Sequence, residues 1–193
     1  MIITIGSHKG GTGKSTLTTN LAAAYQAVGN RVVVIEADPS VSTTSTWAAR
    51  REEHEELTPV TVLRKTGRLA STLRDLQQAF DVIIVDTAGK DSVELRSAAL
   101  VSDVLLTPTN ADAADLDSTA EFITRMDEAR DSNEDLKILV VISRAPTHAK
   151  SRFRDVAIAA LCENTEEFAL ADTVVFNRRI YPDALKAGLS VLE

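Results

Sequence analysis

The segment Lys9-Gly10-Gly11-Thr12-Gly13-Lys14-Ser15-Thr16 combines the residue types that phosphate chemistry needs. It follows an apolar tetrad, Ile2-Ile3-Thr4-Ile5, and precedes a helical pattern. Gly10, Gly11 and Gly13 let the backbone curl until its N–H groups point inward at anionic oxygens. The start of the next helix adds the positive end of its dipole. In such a loop Lys14 reaches the β- and γ-phosphates of a nucleotide, and the Ser15 hydroxyl binds Mg²⁺. The competing reading is a glycine-rich turn with exposed lysines. Strand, loop, lysine, hydroxyl and helix in this order outweigh it.

Two acids end later apolar runs. Val32-Val33-Val34-Ile35 leads into Glu36-Ala37-Asp38-Pro39-Ser40, where Pro39 stops the strand. A carboxylate at Asp38 can orient an attacking water or hold Mg²⁺ through water. Alone, Asp38 reads better as the cap of a following helix. Val82-Ile83-Ile84-Val85 ends in Asp86, placed to bind a Mg²⁺-coordinated water. Gly89, just beyond, offers a mobile backbone N–H able to sense a γ-phosphate. An aspartate merely closing a strand is common for so loose a pattern. The loop upstream makes that the minority reading.

These residues need a scaffold that brings strand ends together. The remaining apolar runs are Val60–Leu63, Val104–Leu106, Ile138–Ile142 and Val174–Phe176. They are β-branched and continuously apolar, as in strands buried on both faces. Helical spacing appears in Leu17, Leu21, Ala24, Tyr25 and Val28, ending at Gly29-Asn30. It recurs in Leu69, Leu73, Leu76 and Phe80, in Leu116, Ala120, Ile123 and Met126, and in Phe153, Val156, Ala157, Ala160 and Leu161. Alternation of this kind predicts an α/β fold, a mainly parallel twisted sheet of about seven strands flanked by helices. Ligands bind such sheets at the carboxyl ends of the strands. Residues 1–193 read as one domain.

Composition narrows the classes. The chain has 193 residues, 44% hydrophobic and 25% charged, which is too apolar for disorder. Its only cysteine, Cys162, excludes a disulfide framework, a Cys-rich zinc module and an all-cysteine iron–sulfur site within one chain. His8, His54 and His148 are scattered and form no ligand cluster. The net charge of −7 argues against broad adhesion to nucleic acid, so DNA contact would need a local basic patch. The first residues are not a secretory signal, no run reaches membrane-spanning length, and a cytoplasmic location is expected.

The segment from Lys9 to Ser15 resembles the deviant Walker A motif, K-G-G-x-G-K-[ST], of the ParA/MinD family of ATPases. His8 stands where the general loop pattern has its first glycine. The resemblance extends from residue 2 to Leu192 and is nearest to the small plasmid partition proteins, the ParF-like group. Glu36-Ala37-Asp38-Pro39-Ser40 is similar to the family's D-x-D-P-Q, with glutamate for the first acid and serine for the glutamine. Asp86 corresponds to the family's Walker B carboxylate, and Asp103 and Pro108 to the residues that begin and end its next strand.

The resemblance implies a Mg²⁺-dependent, weak ATPase. Lys9, Lys14 and Asp38 are its catalytic residues, and Ser15, Asp38 and Asp86 its metal-binding ones. Lys9 reaches across a nucleotide-sandwich homodimer to the partner's phosphates; filaments beyond the dimer stay open. No N-K-x-D guanine motif is present, so adenine is expected, lying between Ser143-Arg144-Ala145-Pro146 and Asn177-Arg178 with Arg144 stacked on it.

The implied function is ATP-dependent DNA segregation. The ATP-bound dimer binds nucleoid DNA non-specifically, and a centromere-binding ParB/ParG-like partner stimulates hydrolysis. Lys150, Arg152, Arg154, Arg178, Arg179 and Lys186 are candidate phosphate contacts. From charge alone they read better as a solvated face paired with Asp155 and Asp183; the resemblance brings the two readings level. The alternative is a MinD-like membrane-surface switch, which needs a basic amphipathic C-terminal helix. The tail from Leu185 carries one lysine and looks like the segment that precedes a final helix in the family. A dethiobiotin-synthetase-like ligase usually lacks Lys9, and a nitrogenase-iron-protein-like reductase needs two cluster cysteines.

Overall fold

The computed structural model describes residues 1–147, 159 and 168–193. The strands are β1 (Ile2–Ile5), β2 (Val32–Glu36), β3 (Thr61–Arg64), β4 (Val82–Asp86), β5 (Val104–Thr109), β6 (Lys137–Ile142) and β7 (Ala169–Leu170). The helices are α1 (Lys14–Ala27), α2 (Thr43–Arg51), α3 (Ala70–Leu76), α4 (Val93–Ala99), α5 (Ala113–Arg125), α6 (Asp127–Ser132) and α7 (Ile180–Ala187). The strands form one parallel sheet in the order β3-β2-β4-β1-β5-β6-β7, the expected α/β architecture.

Side chains alternate across the pleat and feed two faces. Ile3, Val32, Val34, Val82 and Ile84 pack with Ala22, Trp47 and Leu185, under α1, α2 and α7. Ile2, Val33, Ile35, Ile83 and Val85 pack with Leu69, Leu73 and Ala98 of the opposite layer. That layer continues beneath α5, where Leu116, Phe122 and Ile123 meet Leu105, Ile138 and Val140. Burial on both faces is why β1, β2 and β4 read as unbroken apolar runs. The run Val60–Leu63 departs from that expectation, because β3 lies at the sheet edge and is largely exposed.

Several expectations are corrected. Val174–Phe176 is not the seventh strand; Ala169–Leu170 is, and Phe176 makes only an isolated parallel bridge to Ala145. Val175 donates to the Ile142 carbonyl at the end of β6 at 2.9 Å, but Arg144, with φ of 55°, breaks the extended run just beyond, so no continuous ladder forms with this segment. Pro108 does not end β5, which runs on to Thr109 with Pro108 opposite Val141. β5 pairs with β1 only as far as Leu106, so the missing N–H falls on the side where no ladder remains. Val28 does not join the buried face of α1: it is 76% exposed just past the helix end, whereas Leu17, Leu21 and Tyr25 pack half-buried on the core beside buried Thr18, Thr19, Ala22 and Ala23. Phe153, Val156, Ala157, Ala160 and Leu161, on which the expected helix rests, lie outside the described residues, as do His148, Lys150, Arg152, Arg154, Asp155 and Cys162.

Candidate active site

Sheet register sets the site. Ile5 of β1 stands opposite Asp86 of β4, and Asp86 stands opposite Glu36 of β2. The loops leaving these three ends open into one space, a cavity of about 470 Å³. Gly10, Gly11, Gly13, Lys14, Ser15 and Thr16 border it on one side. Asp38, Asp86 and Gly89 border it on another, and Ser143, Arg144, Asn177 and Tyr181 close the end beside the expected base loops. Lys9 and Thr12, expected in the same group, do not line it.

The glycine loop adopts the conformations its composition allows. Gly11 and Gly13 have φ of 77° and 98°. Gly13 caps α1, no side chain occupies that cap, and no acid sits in the first turn. By contrast Ser92 and Asp112 cap α4 and α5 with their own oxygens. Gly89 lies against the loop, and a Cβ there would come within 2.6 Å of the Gly10 backbone. The segment after β4 therefore touches the glycine loop directly.

The charges inside are unbalanced. Lys14 is 7% exposed, and its Nζ donates to the Ser7 hydroxyl and the Lys9 carbonyl at 3.2 Å each, both neutral oxygens. Burial lowers its pKa, against the pull of Asp86 and Asp38. Asp86 Oδ2 accepts from the Thr44 hydroxyl at 2.8 Å, whereas buried Oδ1 has no hydrogen-bond partner among the described residues. Burial raises the Asp86 pKa, opposed by the Thr44 and Ser15 hydroxyls and by Lys14. Ser15 is near enough to ease the charge but makes no hydrogen bond of good geometry to it. A buried cation without an anion in contact, a carboxylate oxygen without a donor and an uncapped helix start suit a polyphosphate with a hard divalent cation. Hydroxyl and carboxylate oxygens from Ser15, Asp38 and Asp86 are the donors Mg²⁺ prefers.

Neighbouring acids divide their work in a way the sequence did not reveal. Asp38 caps no helix; its Oδ1 accepts from the Ser40 N–H at 2.9 Å and from the Ser40 hydroxyl. Glu36 caps α2 instead, accepting from the N–H groups of Thr44 and Ser45 at 2.8 and 3.2 Å, while Arg64 stands 3.4 Å away. This cap also seats Thr44 against Asp86. Lys9 turns outward to the start of α5. It forms an ion pair with Asp115 and donates to the Ala114 carbonyl at 3.2 Å. The Asp115 hydrogen bond raises the Lys9 pKa, and Lys9 in turn lowers that of Asp115. Asn110 holds the other Asp115 oxygen at 2.6 Å. Thr44, Ser7 and Asp115 carried no signal of their own, because their partners lie far away along the chain or in an ordinary loop.

Arg178, Arg179 and Lys186 are exposed. Arg179 pairs with Asp183 at 3.2 Å, and the Arg178 guanidinium lies over the Phe176 ring. Among the described residues no helix is long and apolar enough to cross a membrane.

A family model described as the CobQ/CobB/MinD/ParA nucleotide binding domain matches residues 3–190. The chain is 26% identical over 195 residues to the maintenance of carboxysome distribution protein A of Halothiobacillus neapolitanus, covering 99% of this chain and 86% of that one. It is 25% identical over 167 residues to the chromosome-partitioning ATPase Soj of Thermus thermophilus, covering 72% and 67%. In fold it is similar to the Pyrococcus horikoshii septum site-determining protein MinD complexed with Mg-ADP. That match has a TM-score of 0.74 and 19% identity, and covers 98% of this chain and 86% of that one.

Proposed function

From the premise that this chain belongs to the CobQ/CobB/MinD/ParA nucleotide-binding family, and is an ATPase of the ParA/MinD type, we propose that it is a DNA-segregation ATPase. ATP binding joins two copies face to face, the dimer holds DNA through phosphate contacts, and hydrolysis to ADP and phosphate returns it to monomers. The observation that carries this reading is the division between the two lysines of one loop. Lys14 belongs to the cavity of its own chain, whereas Lys9 stands outside it on an exposed edge, 41% exposed in its side chain. A second ammonium placed there is suited to the phosphates of a facing copy.

Within each copy Lys14 and the N–H groups at the start of α1 hold the phosphate chain. Ser15, Asp38 and Asp86 hold Mg²⁺, which neutralises phosphate charge when bound. Asp38 orients the attacking water, and the Gly89 N–H registers the γ-phosphate. A ParB/ParG-like partner speeds turnover by completing the transition-state charge.

Gel-shift binding to unrelated DNA duplexes, with ATP, ADP or no nucleotide at several salt concentrations, tests the reading. Binding that requires ATP, ignores sequence and weakens steeply with salt is expected. Equal binding without ATP, or ATP-dependent binding to anionic vesicles and not to DNA, overturns it.

The similarity to a carboxysome-distribution protein over nearly the whole chain favours a second reading. The same ATP-driven DNA binding would then position a protein body instead of a replicon. Deletion of the gene separates them: clumped protein bodies with normal plasmid inheritance favour the second.

A further inference from the structure

Arg144 holds a conformation that side chains with a Cβ avoid. Its φ of 55° is the only positive value at a non-glycine position among the described residues. Such strain persists only where the surroundings impose it, and it concentrates at functional sites. Here the conformation delivers one contact: Arg144 Nη1 donates to the Gly11 carbonyl at 2.6 Å. The adjacent Ser143 hydroxyl lies 2.8 Å from where a Cβ on Gly13 would stand. The segment leaving β6 thus presses on the phosphate loop at both of its left-handed glycines. Neither glycine has a side chain with which to brace itself, and a glycine-rich loop has many alternative shapes. A peptide unit is planar, so fixing the Gly11 oxygen fixes the Thr12 N–H with it.

We propose that Arg144 is a positioning residue that holds the phosphate loop in its binding shape before the nucleotide arrives. This deepens the nucleotide-binding reading and rests on it. It differs from stacking on adenine, because a stacked guanidinium acts through the base while this one acts through the loop. Loss of the brace lowers the fraction of molecules whose loop is ready, and apparent affinity falls by that fraction. Every ligand with a polyphosphate chain is affected alike, with or without a base.

The decisive variant is Arg144→Gly, which removes the guanidinium and accepts the left-handed backbone without strain. Affinity is read by displacement of a fluorescent ATP analogue in the presence of Mg²⁺, with ATP and with inorganic tripolyphosphate as competitors. Both are expected to weaken about tenfold, the order expected from one charge-assisted hydrogen bond. The melting temperature should stay level or rise, and Arg144→Lys should recover part of both affinities. Unchanged affinity for both ligands overturns the proposal. So does a loss confined to ATP, the mark of a stacked base, or a loss matched by a fall in melting temperature, the mark of a general structural role. Wild-type protein that binds neither ligand overturns the nucleotide-binding reading and the brace together.

Discussion

Lys14 and Asp86 are buried charges whose partners in the free protein are mostly neutral. Charge without compensation is costly in a low-dielectric site, and ligand binding relieves it. Lys14→Gln keeps the length and a hydrogen-bonding head but removes the cation. Calorimetric titration is expected to show Mg–ATP binding reduced beyond detection. Asp86→Asn should separate stability from binding. The folded-state pKa of Asp86 lies above its ordinary value, and that shift already includes the attraction of Lys14. Such a carboxyl favours the fold fully below the ordinary aspartate pKa, and the benefit is lost as pH rises through the raised value. The neutral amide escapes that loss. Asp86→Asn should therefore melt higher than wild type near neutrality. The gap should close in acid, and Mg²⁺-dependent ATP turnover should be lost. Thermal melts across a pH series decide it; a gap that widens in acid contradicts the assignment.

At the scale of elements, α2 and α7 are joined by a short segment that neither helix announces. Gly188 ends α7 with φ of 76°, and a Cβ there would lie 2.6 Å from the Arg50 carbonyl carbon. The turn sends Leu189 to accept from the Trp47 indole at 2.9 Å and Val191 to donate to Asn20 at 2.8 Å. Arg51, 3% exposed in its side chain, then meets Glu193 through its two terminal guanidinium nitrogens, Nη1 and Nη2, at 2.9 and 2.6 Å. Arg51 in turn holds the Glu193 carboxyl below its ordinary pKa. Gly188→Ala combines left-handed strain with a backbone clash. A loss of about 2–4 kcal/mol is expected, read as a lower urea midpoint with little change in slope. The sequence showed the glycine but not the clash, because Arg50 approaches from a helix far upstream. Nor did α2 show itself: Thr43–Arg51 has no apolar stripe beyond Trp47 and Ala48, and its start depends on the Glu36 carboxylate.

For the whole molecule, the question is what a second copy adds. Lys9 is engaged with Asp115 in the single chain, and in the proposed dimer it would have to leave that pair to reach a facing phosphate. Lys9→Ala is expected to bind Mg–ATP nearly as wild type, since Lys9 does not border the cavity, yet to fail to dimerise. Light scattering with ATP checks this, and unchanged dimers would end the sandwich mechanism. If the proposed dimer holds DNA, Arg178, Arg179 and Lys186 are its candidate contacts among the described residues, with Arg179 already shared with Asp183.

Sequence alone determined the local chemistry: a glycine loop between strand and helix, acids closing β2 and β4, and a parallel sheet between helical layers. Those features are local because backbone freedom, strand propensity and apolar runs are written in consecutive residues. Only the tertiary structure decided how the parts meet. Strand register put Asp86 between Ile5 and Glu36, and α2 brought Thr44 to Asp86. The start of α5 took Lys9 away from the cavity, and the strained turn after β6 brought Arg144 to Gly11. Each of these contacts joins residues distant along the chain, and packing, not neighbouring sequence, sets the distances between them.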